Sequence, residues 1–346
     1  MSRASRLIMH CPCDRVLPES MDAESERALA ARVLGGDPRA VSRAISLIEE
    51  GVPEGARLVS ALFSHTGRAW VVGVTGPPGV GKSTLVDRVT KVFRSGGRRV
   101  GIVAVDPTSP FSGGAVLGDR VRMQTHAGDD GVFIRSMATR GRLGGLAQAT
   151  REATLVLDAA GHDVVFLETV GVGQAEVDIT YAADIAVVMV APGFGDDVQA
   201  IKAGILEIAD VFVVNKADCS GAEGAVARLE AMLSLGEPSQ EDWRPQIIKT
   251  QATTGDGVND FVCALDRFRE YAAGDDLRYQ RRCRLEASEL RRLLGEAFWR
   301  HVEQLVSPSE LDKVTAQLAR RELDPYTAVD AIMERALAQR DADRNS

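Results

Sequence analysis

Cysteine is scarce in this chain, and its distribution argues against a disulfide-stabilised protein. The 346 residues include five cysteines, an odd number, and a chain of this length buries a large core without covalent cross-links. Reduced thiols are predicted at Cys11, Cys13, Cys219, Cys263 and Cys283. The close pair Cys11 and Cys13 is able to bind a metal or a thiol partner. Because no second pair follows at metal-site spacing, we expect a flexible N-terminal tail over residues 1–22 instead.

Excess positive charge and long apolar segments are also missing. The formal net charge is −8, so we expect no basic surface that attracts nucleic acid or an anionic membrane. No apolar run reaches the roughly 18 residues of a membrane-spanning helix, and the N-terminal apolar stretch is too short for a secretory signal. The composition, 45% hydrophobic and 26% charged, is that of a globular protein, and we expect it in the cytoplasm.

Apolar patterns divide the chain into helical and mixed parts. Residues 23–50 carry apolar side chains at helical spacing, interrupted at Gly35–Pro38, which predicts two helices. From Trp70 onward, short runs rich in valine and isoleucine alternate with helical segments, which is typical of a parallel sheet covered by helices. The predicted strands are Val71–Val74, Arg99–Val105, Gly131–Ile134, Asp163–Leu167, Ile185–Val190, Val211–Val214 and Gln246–Lys249.

The strand pattern stops after about Phe268. Residues 276–337 are rich in leucine, arginine and glutamate and predict helices. An apolar stripe follows one helix face at Leu290, Leu293, Leu294, Ala297 and Phe298. It is expected to pack either against the protein's own core or against a second subunit, and the sequence leaves both open.

The first predicted strand leads into a phosphate-binding loop. The sequence GPPGVGKST begins at Gly76 and continues as a predicted helix over Leu85–Phe93, the strand–loop–helix context of a P-loop. Glycines let backbone amides wrap around phosphates, and a side chain at Gly76 or Gly81 is expected to fill the phosphate space. Lys82 is expected to bind the β- and γ-phosphates, and the Ser83 hydroxyl to bind Mg²⁺. The nucleotide-binding set predicted here is Gly76, Gly79, Val80, Gly81, Lys82, Ser83 and Thr84.

A second motif, NKAD, begins at Asn215, directly after the sixth predicted strand. A carboxylate at Asp218 accepts hydrogen bonds from N1–H and the exocyclic amine of guanine, whereas adenine has no such donor pair. The motif therefore predicts GTP rather than ATP. Asn215 is expected to brace the loop, and the stem of Lys216 to lie along the purine. Gln251 and Ala252, after the last strand, are candidates for a second wall of the base pocket.

Three acidic residues near strand ends are candidates for the metal and switch groups, because ligands in open α/β sheets bind at the carboxyl edge. Asp106 follows one strand, Glu168 ends another, and Asp119 lies in a glycine-rich segment between them. Each is able to reach Mg²⁺ directly or through water, and turn capping is the alternative for Asp106. The Gly171 amide is placed to contact the γ-phosphate, while Gln174 either orients the attacking water or packs within the switch.

Longer blocks of sequence resemble one family. In chain order GPPGVGKST, DPTSPFSGGAVLGDRVRM, FIRSMATRGRLGGLAQAT, ETVGVGQAEVDI, APGFGDDVQAIKAGILEIAD and NKAD resemble the methylmalonyl-CoA mutase-associated GTPases, the MeaB/ArgK-type proteins. The resemblance implies an α/β P-loop NTPase of the SIMIBI type, with a mostly parallel sheet flanked by helices. It also implies an N-terminal helical extension over residues 23–66, a GTPase domain over 67–272, and a C-terminal helical dimerisation arm with its tail over 273–346.

The resemblance further implies a homodimeric, Mg²⁺-dependent GTPase, with GTP and GDP as ligands, that serves an adenosylcobalamin-dependent acyl-CoA mutase. Such proteins gate delivery of the cofactor from a cobalamin adenosyltransferase and help to protect or reactivate the mutase. The family's phosphate, magnesium and guanine positions correspond to Lys82, Ser83, Asp106, Asp119, Glu168, Asn215 and Asp218. The catalytic candidates are Lys82, Glu168, Gly171 and Gln174.

Two further blocks concern the partner. The family's additional switch corresponds to Gly193–Lys202, in which Asp196, Asp197, Gln199 and Lys202 are expected to couple nucleotide state to the partner. A solvent-exposed acidic loop is the alternative there. The block FIRSMATRGRLGG is unusually rich in arginine, so the mutase need not be methylmalonyl-CoA mutase itself. For its arginines, Arg135, Arg140 and Arg142, the sequence leaves open contacts with phosphate, an acidic partner surface or a neighbouring carboxylate.

The residues leave rival functions to weigh. No arginine finger is identifiable, so we expect a low intrinsic GTPase rate that a partner accelerates. A nickel-insertion GTPase is one rival, but the five histidines are scattered and form no histidine-rich tract. An ATP-dependent kinase of a transport protein is the second, and NKAD argues against it. A structural binding partner whose hydrolysis is incidental is the third.

Overall fold

A parallel sheet forms the centre of the first part of the chain. The computed structural model describes residues 22–106, 124–126, 128–138, 145–169, 182–193, 209–234, 243–274 and 276–344. Seven strands pair in parallel in the order β3-β2-β4-β1-β5-β6-β7. They are β1 (Trp70–Thr75), β2 (Val100–Asp106), β3 (Val132–Ala138), β4 (Val164–Thr169), β5 (Ile185–Val190), β6 (Val211–Asn215) and β7 (Gln246–Thr250). The predicted α/β sheet is confirmed.

Helices precede, separate and follow the strands. Among the described residues they are α1 (Ala23–Leu34), α2 (Pro38–Glu50), α3 (Pro53–Leu62), α4 (Lys82–Ser95), α5 (Gly145–Ala159), α6 (Ala222–Leu233), α7 (Val258–Gly274), α8 (Leu277–Leu305), α9 (Pro308–Ala319) and α10 (Pro325–Arg344). None of these helices is long and apolar enough to cross a membrane. The chain divides into two compact units between Tyr271 and Ala272.

The N-terminal helices share a core with one side of the sheet. Buried side chains of α1, α2 and α3 belong to the same hydrophobic cluster as residues of β2, β4 and α5. The break between α1 and α2 lies where Gly35–Pro38 predicted it, and the Asp37 carboxylate caps α2 by accepting from the amide of Arg39 at 2.8 Å. The apolar pattern did not predict α3 as a separate helix, although α3 lies inside the helical extension that the resemblance implies over residues 23–66. Gly51, with a φ of 67°, and Pro53 at the first helical turn were the available signals.

Aspartates before three strands align the amino edge of the sheet. Each lies directly before β4, β5 or β6, and its carboxylate accepts from a backbone amide of the neighbouring strand or of the residue before that strand. The bonds run from Arg99 N to Asp163 (2.6 Å), from Val71 N to Asp184 (3.0 Å) and from Ala186 N to Asp210 (2.8 Å). Because parallel strands aligned at one edge also end together at the other, this arrangement brings the carboxyl ends of β1, β4 and β6 to a common edge.

Arg135 of β3 contacts a neighbouring carboxylate, which is one of the three contacts that the sequence left open. Its guanidinium pairs with Glu49 of α2, and it also donates to the Ser46 hydroxyl at 3.1 Å. The pair lies in a partly buried environment, so it ties β3 to the N-terminal helices. Arg140 and Arg142 lie outside the described residues.

The second unit contains α8, α9 and α10. Its small apolar cluster consists of Val302, Leu305, Val306, Leu311 and Ile332. The stripe on α8 does not belong to this cluster: Leu290 is 59% exposed, Leu294 60% and Phe298 39%. Within the second unit the stripe therefore lies outside the apolar cluster.

His162 is expected to make the stability of the first unit sensitive to mild acid. The side chain is 5% exposed between α5 and β4, and its Nδ1 donates to the Leu157 carbonyl at 2.9 Å. Burial lowers its pKa to about 4 from an ordinary value of 6.5. As pH falls from 7 to 5, His162 binds a proton in the unfolded chain but not in the folded chain. The free energy of unfolding measured in urea titrations should therefore fall by roughly 2 kcal/mol.

The matched variant for this prediction is His162→Gln, which keeps a side-chain donor but does not titrate. It should lose much less stability over the same pH interval. Carboxylates with lowered pKa values, such as Asp129 bonded to Arg94, affect stability at more acidic pH. The change between pH 7 and pH 5 is therefore expected to come from histidine. An equal pH dependence in both proteins would contradict the assignment.

Candidate active site

The loops after β1, β6 and β7, together with the ends of β2 and β4, line a pocket of about 630 Å³. Its lining combines the P-loop and the start of α4 with the end of β4 and the NKAD segment. The predicted residues that line it are Gly79, Gly81, Lys82, Ser83, Thr84, Glu168, Asn215, Lys216, Asp218, Gln251 and Ala252. Helix α4 begins at Lys82, three residues before the predicted start, and its amino end provides backbone donors for phosphate.

Two glycines of the P-loop lie close to neighbouring protein groups. A Cβ on Gly76, which has a φ of 143°, would lie 2.2 Å from the carbonyl oxygen of Met189 on β5. A Cβ on Gly81 would lie 2.3 Å from Nδ2 of Asn215. Gly79 has a positive φ of 76° but open space around it. Close approach to these protein groups therefore excludes side chains at Gly76 and Gly81, and the predicted need for phosphate space at the same glycines stays a prediction.

Asn215 connects the phosphate and base sides of the pocket. Its Nδ2 donates to the carbonyl of Val80 at 2.7 Å. Its Oδ1 accepts from the Thr250 hydroxyl at 3.1 Å and from the Ala252 amide at 3.0 Å. The side chain is 3% exposed, so these bonds are shielded from water. Val80 itself is buried and contributes its carbonyl to this brace rather than a surface to the pocket.

Lys82 and Ser83 lie at the phosphate end. The Lys82 ammonium is buried and donates to the carbonyls of Gly76 at 2.7 Å and Pro77 at 3.0 Å. The Ser83 hydroxyl donates to Glu168 at the end of β4. A hydroxyl and a carboxylate in contact are hard oxygen ligands of the kind that Mg²⁺ prefers, so these two residues fit the predicted metal. A bound Mg²⁺ would neutralise phosphate charge.

The remaining metal and switch candidates are described only in part. Asp106 ends β2, whose partner β4 carries Glu168, so both residues lie at the carboxyl edge. Asp119, Gly171, Gln174, Asp196, Asp197, Gln199 and Lys202 lie outside the described residues. Among the residues that are described, no group of three or more His, Cys, Asp or Glu side chains is arranged to hold a metal ion. The complete magnesium set stays a prediction.

The base end of the pocket includes a strained residue. Lys216 has a φ of 57°, in a region that residues other than glycine seldom adopt. Its carbonyl accepts from the amide of Cys219 at 3.0 Å, and the amide of Ala217 donates to Thr250 at the same distance. This tight turn places the exposed Asp218 at the pocket, where a bound base would cover its carboxylate. Cys219 also lines the pocket and was not predicted.

Sequence reasoning missed two side chains of α4, of which Arg88 contacts the pocket loop after β7. Arg88 donates to the carbonyls of Ala252 and Thr253. Asp87 accepts from Thr125 at 2.5 Å and from Lys91 at 2.8 Å. Burial acts to raise the pKa of Asp87, but these hydrogen bonds outweigh it and hold the pKa below its usual value. Both residues lie in a helical segment with no motif, so the sequence contained no signal for either role.

Comparison with known proteins relates this site to one family. A sequence model described as "Methylmalonyl Co-A mutase-associated GTPase MeaB" matches residues 41–306. A putative GTPase of Pyrococcus abyssi is 46% identical over 309 residues, which cover 88% of this chain and 95% of that protein. GTPase ArgK of Escherichia coli is 35% identical over 261 residues, covering 73% and 78% respectively.

Two further matches add a mammalian relative and a fold. The methylmalonic aciduria type A homolog, mitochondrial, of Mus musculus is 38% identical over 203 residues, which are 58% of this chain and 48% of that protein. The crystal structure of an LAO/AO transport system kinase matches with a TM-score of 0.69 at 25% identity, and the match covers 91% of this chain and 98% of that protein. The similarity therefore extends over the sheet and continues into the C-terminal helices.

Proposed function

We propose that this chain, which belongs to the methylmalonyl-CoA mutase-associated GTPase family, is a nucleotide-dependent chaperone of an adenosylcobalamin-dependent acyl-CoA mutase. The family match carries the proposal, because it includes the P-loop, the guanine motif and all of α8. The mouse relative, named for methylmalonic aciduria, supports a link to the same metabolism. In this role GTP hydrolysis gates delivery of the cofactor from an adenosyltransferase and protects or reactivates the mutase.

The residues of the pocket support guanine binding and phosphate transfer to water. The amino end of α4 and Lys82 would bind the phosphates, and Ser83 with Glu168 would hold Mg²⁺. Asp218 would accept hydrogen bonds from the guanine base. The described pocket holds positioning and charge-stabilising groups, which suits slow intrinsic hydrolysis that a partner accelerates. In the proposal Asp196, Asp197, Gln199 and Lys202 transmit nucleotide state to that partner.

The test is complex formation between purified proteins. The GTPase is mixed with methylmalonyl-CoA mutase, and separately with other acyl-CoA mutases of the same organism, in GDP or in a nonhydrolysable GTP analogue. We expect one mutase to bind with an affinity that depends on the nucleotide and to raise the GTPase rate at least about tenfold. Lys82→Ala, which removes a phosphate ligand, should make the complex insensitive to nucleotide.

The outcomes separate the alternatives. If no mutase binds or changes the hydrolysis rate, the partner assignment fails while GTP hydrolysis stands. If a mutase binds equally in both nucleotide states, a structural partnership replaces the chaperone cycle.

The proposal includes a homodimer formed through α8. Leu290, Leu293, Leu294 and Phe298 are all exposed on one face of this helix. Such a stripe is stabilised when a second copy of the same surface covers it, as in isologous dimers. Of the two surfaces that the sequence left open as partners of this stripe, the proposal adopts a second subunit.

A charged residue in the stripe should separate the subunits. Leu294→Asp would place a carboxylate in the apolar contact, so we expect a mass near that of one 37.1 kDa chain by light scattering, where the unaltered protein gives twice that mass. Ser288→Asp is the matched control, because it lies about 200° around the same helix from Leu290 and is exposed. A monomeric unaltered protein, or a dimeric Leu294→Asp variant, would contradict this interface.

A further inference from the structure

Arg88 joins the helix of the phosphate site to the loop of the base site. It lies on α4, six residues after Lys82, and is half-buried. Its Nε donates to the carbonyl of Ala252 at 3.2 Å, and its Nη2 donates to the carbonyl of Thr253. A planar guanidinium is able to serve both carbonyls at once, so the contact constrains direction as well as distance.

The loop that receives these bonds is already closed at its base. The backbone amide of Gln251 donates to the backbone carbonyl of Asp256 at 2.9 Å, and the amide of Gly255 donates to the backbone carbonyl of Gln251 at 2.9 Å. Gly257, with a φ of 72°, approaches β7 so closely that a Cβ would lie 2.0 Å from the carbonyl oxygen of Lys249. Movement of the loop is thereby restricted mainly to its tip, where Ala252 and Thr253 line the pocket.

Two side chains hold this tip. Asn215 accepts from the Ala252 amide on one side, and Arg88 binds the following carbonyls on the other. Ala252 is 2% exposed, which places its peptide group between the two anchors and away from water. Both anchors also belong to the phosphate side, since Asn215 bonds to Val80 and Arg88 lies on α4.

We propose that Arg88 is a positioning residue for purine selection, which fixes the Ala252–Thr253 wall relative to Asp218. The inference rests on the proposed recognition of guanine by Asp218. Guanine and adenine differ at the exocyclic position of C6, where one has an oxygen and the other an amine. A fixed backbone wall denies a mismatched purine the rearrangement it needs, whereas a loosened wall also holds guanine less well.

The test compares three probes in the Arg88→Ala variant by calorimetry. GDP reports the whole site, ADP reports a mismatched base, and pyrophosphate reports the phosphate site alone. We expect GDP affinity to fall about tenfold, with ADP and pyrophosphate affinities changed less than about twofold, so that base discrimination falls about tenfold. Arg88→Lys keeps the positive charge but replaces the planar guanidinium with a single ammonium group. It should show the same pattern with a smaller loss of GDP affinity.

Lys91→Ala is the control for charge, because it removes one positive charge from the same helix without a contact to the loop. It should leave the ratio of GDP to ADP affinity unchanged. Equal losses for all three probes in Arg88→Ala, or an unchanged ratio in both Arg88 variants, would overturn the positioning role. If the unaltered protein does not prefer GDP to ADP, guanine recognition by Asp218 fails together with the role of Arg88. If the unaltered protein prefers GDP but the Arg88 variants keep the same preference, only the role of Arg88 fails. Should Arg88→Ala not fold, the Arg88→Lys ratio decides the question.

Discussion

Asp218→Asn is expected to change the base preference of this GTPase from guanine to xanthine. In the proposed site the Asp218 carboxylate would accept from two donors of guanine, whereas an amide would oppose one of them with a donor of its own. Loss of charge-assisted bonds at a covered site costs roughly 3–4 kcal/mol, so GDP affinity should fall about 10²–10³-fold. Xanthine carries an oxygen in place of the exocyclic amine, so the amide donates to it and XDP affinity should rise. Titration calorimetry with GDP and XDP measures both changes.

Asp218→Ala is the matched control for this exchange of preference. It removes both acceptors without supplying a donor, so it should lose GDP affinity and gain none for XDP. Because Asp218 is exposed, either substitution should reduce the stability of the fold only slightly. An Asp218→Asn protein that retains GDP affinity would show that another group selects the base.

Gly76→Ala is expected to cause a large loss of stability. The added Cβ meets the Met189 carbonyl at 2.2 Å, and the φ of 143° is itself strained for alanine. Because the oxygen belongs to the backbone of a central strand, it has little freedom to move. Together the clash and the strain should reduce the free energy of unfolding by at least about 3 kcal/mol. Urea unfolding without nucleotide, followed by circular dichroism, measures this loss.

Gly79→Ala separates strain from collision. Gly79 also has a positive φ, 76°, but nothing lies within 4 Å of the Cβ that the substitution adds. It should cost only the backbone strain, about 1–2 kcal/mol. If both variants lose the same stability, the contact with Met189 does not explain the glycine at position 76.

The strands and the two nucleotide motifs were predictable because each depends on a short contiguous segment. Runs such as VVFL in β4 and IAVVMV in β5 are buried along their whole length, as continuous apolar patterns predict for parallel strands. The end of edge strand β3 was harder to predict from the sequence, because the strand continues to Ala138, past the predicted end at Ile134. The sequence VFIRSMA contains polar residues, and Arg135 among them pairs with Glu49 of α2, which lies far away along the chain.

The sequence by itself determined the kind of chemistry at the site. GPPGVGKST specifies a phosphate-binding turn and NKAD a purine-reading carboxylate, because spacing within a few residues sets the local backbone. Only the tertiary structure decided which groups meet. Ser83 reaches Glu168 across 85 positions, Asn215 reaches Val80 across 135, and Arg88 reaches Ala252 across 164. Those contacts depend on β1 lying between β4 and β5, an order that local periodicity does not encode.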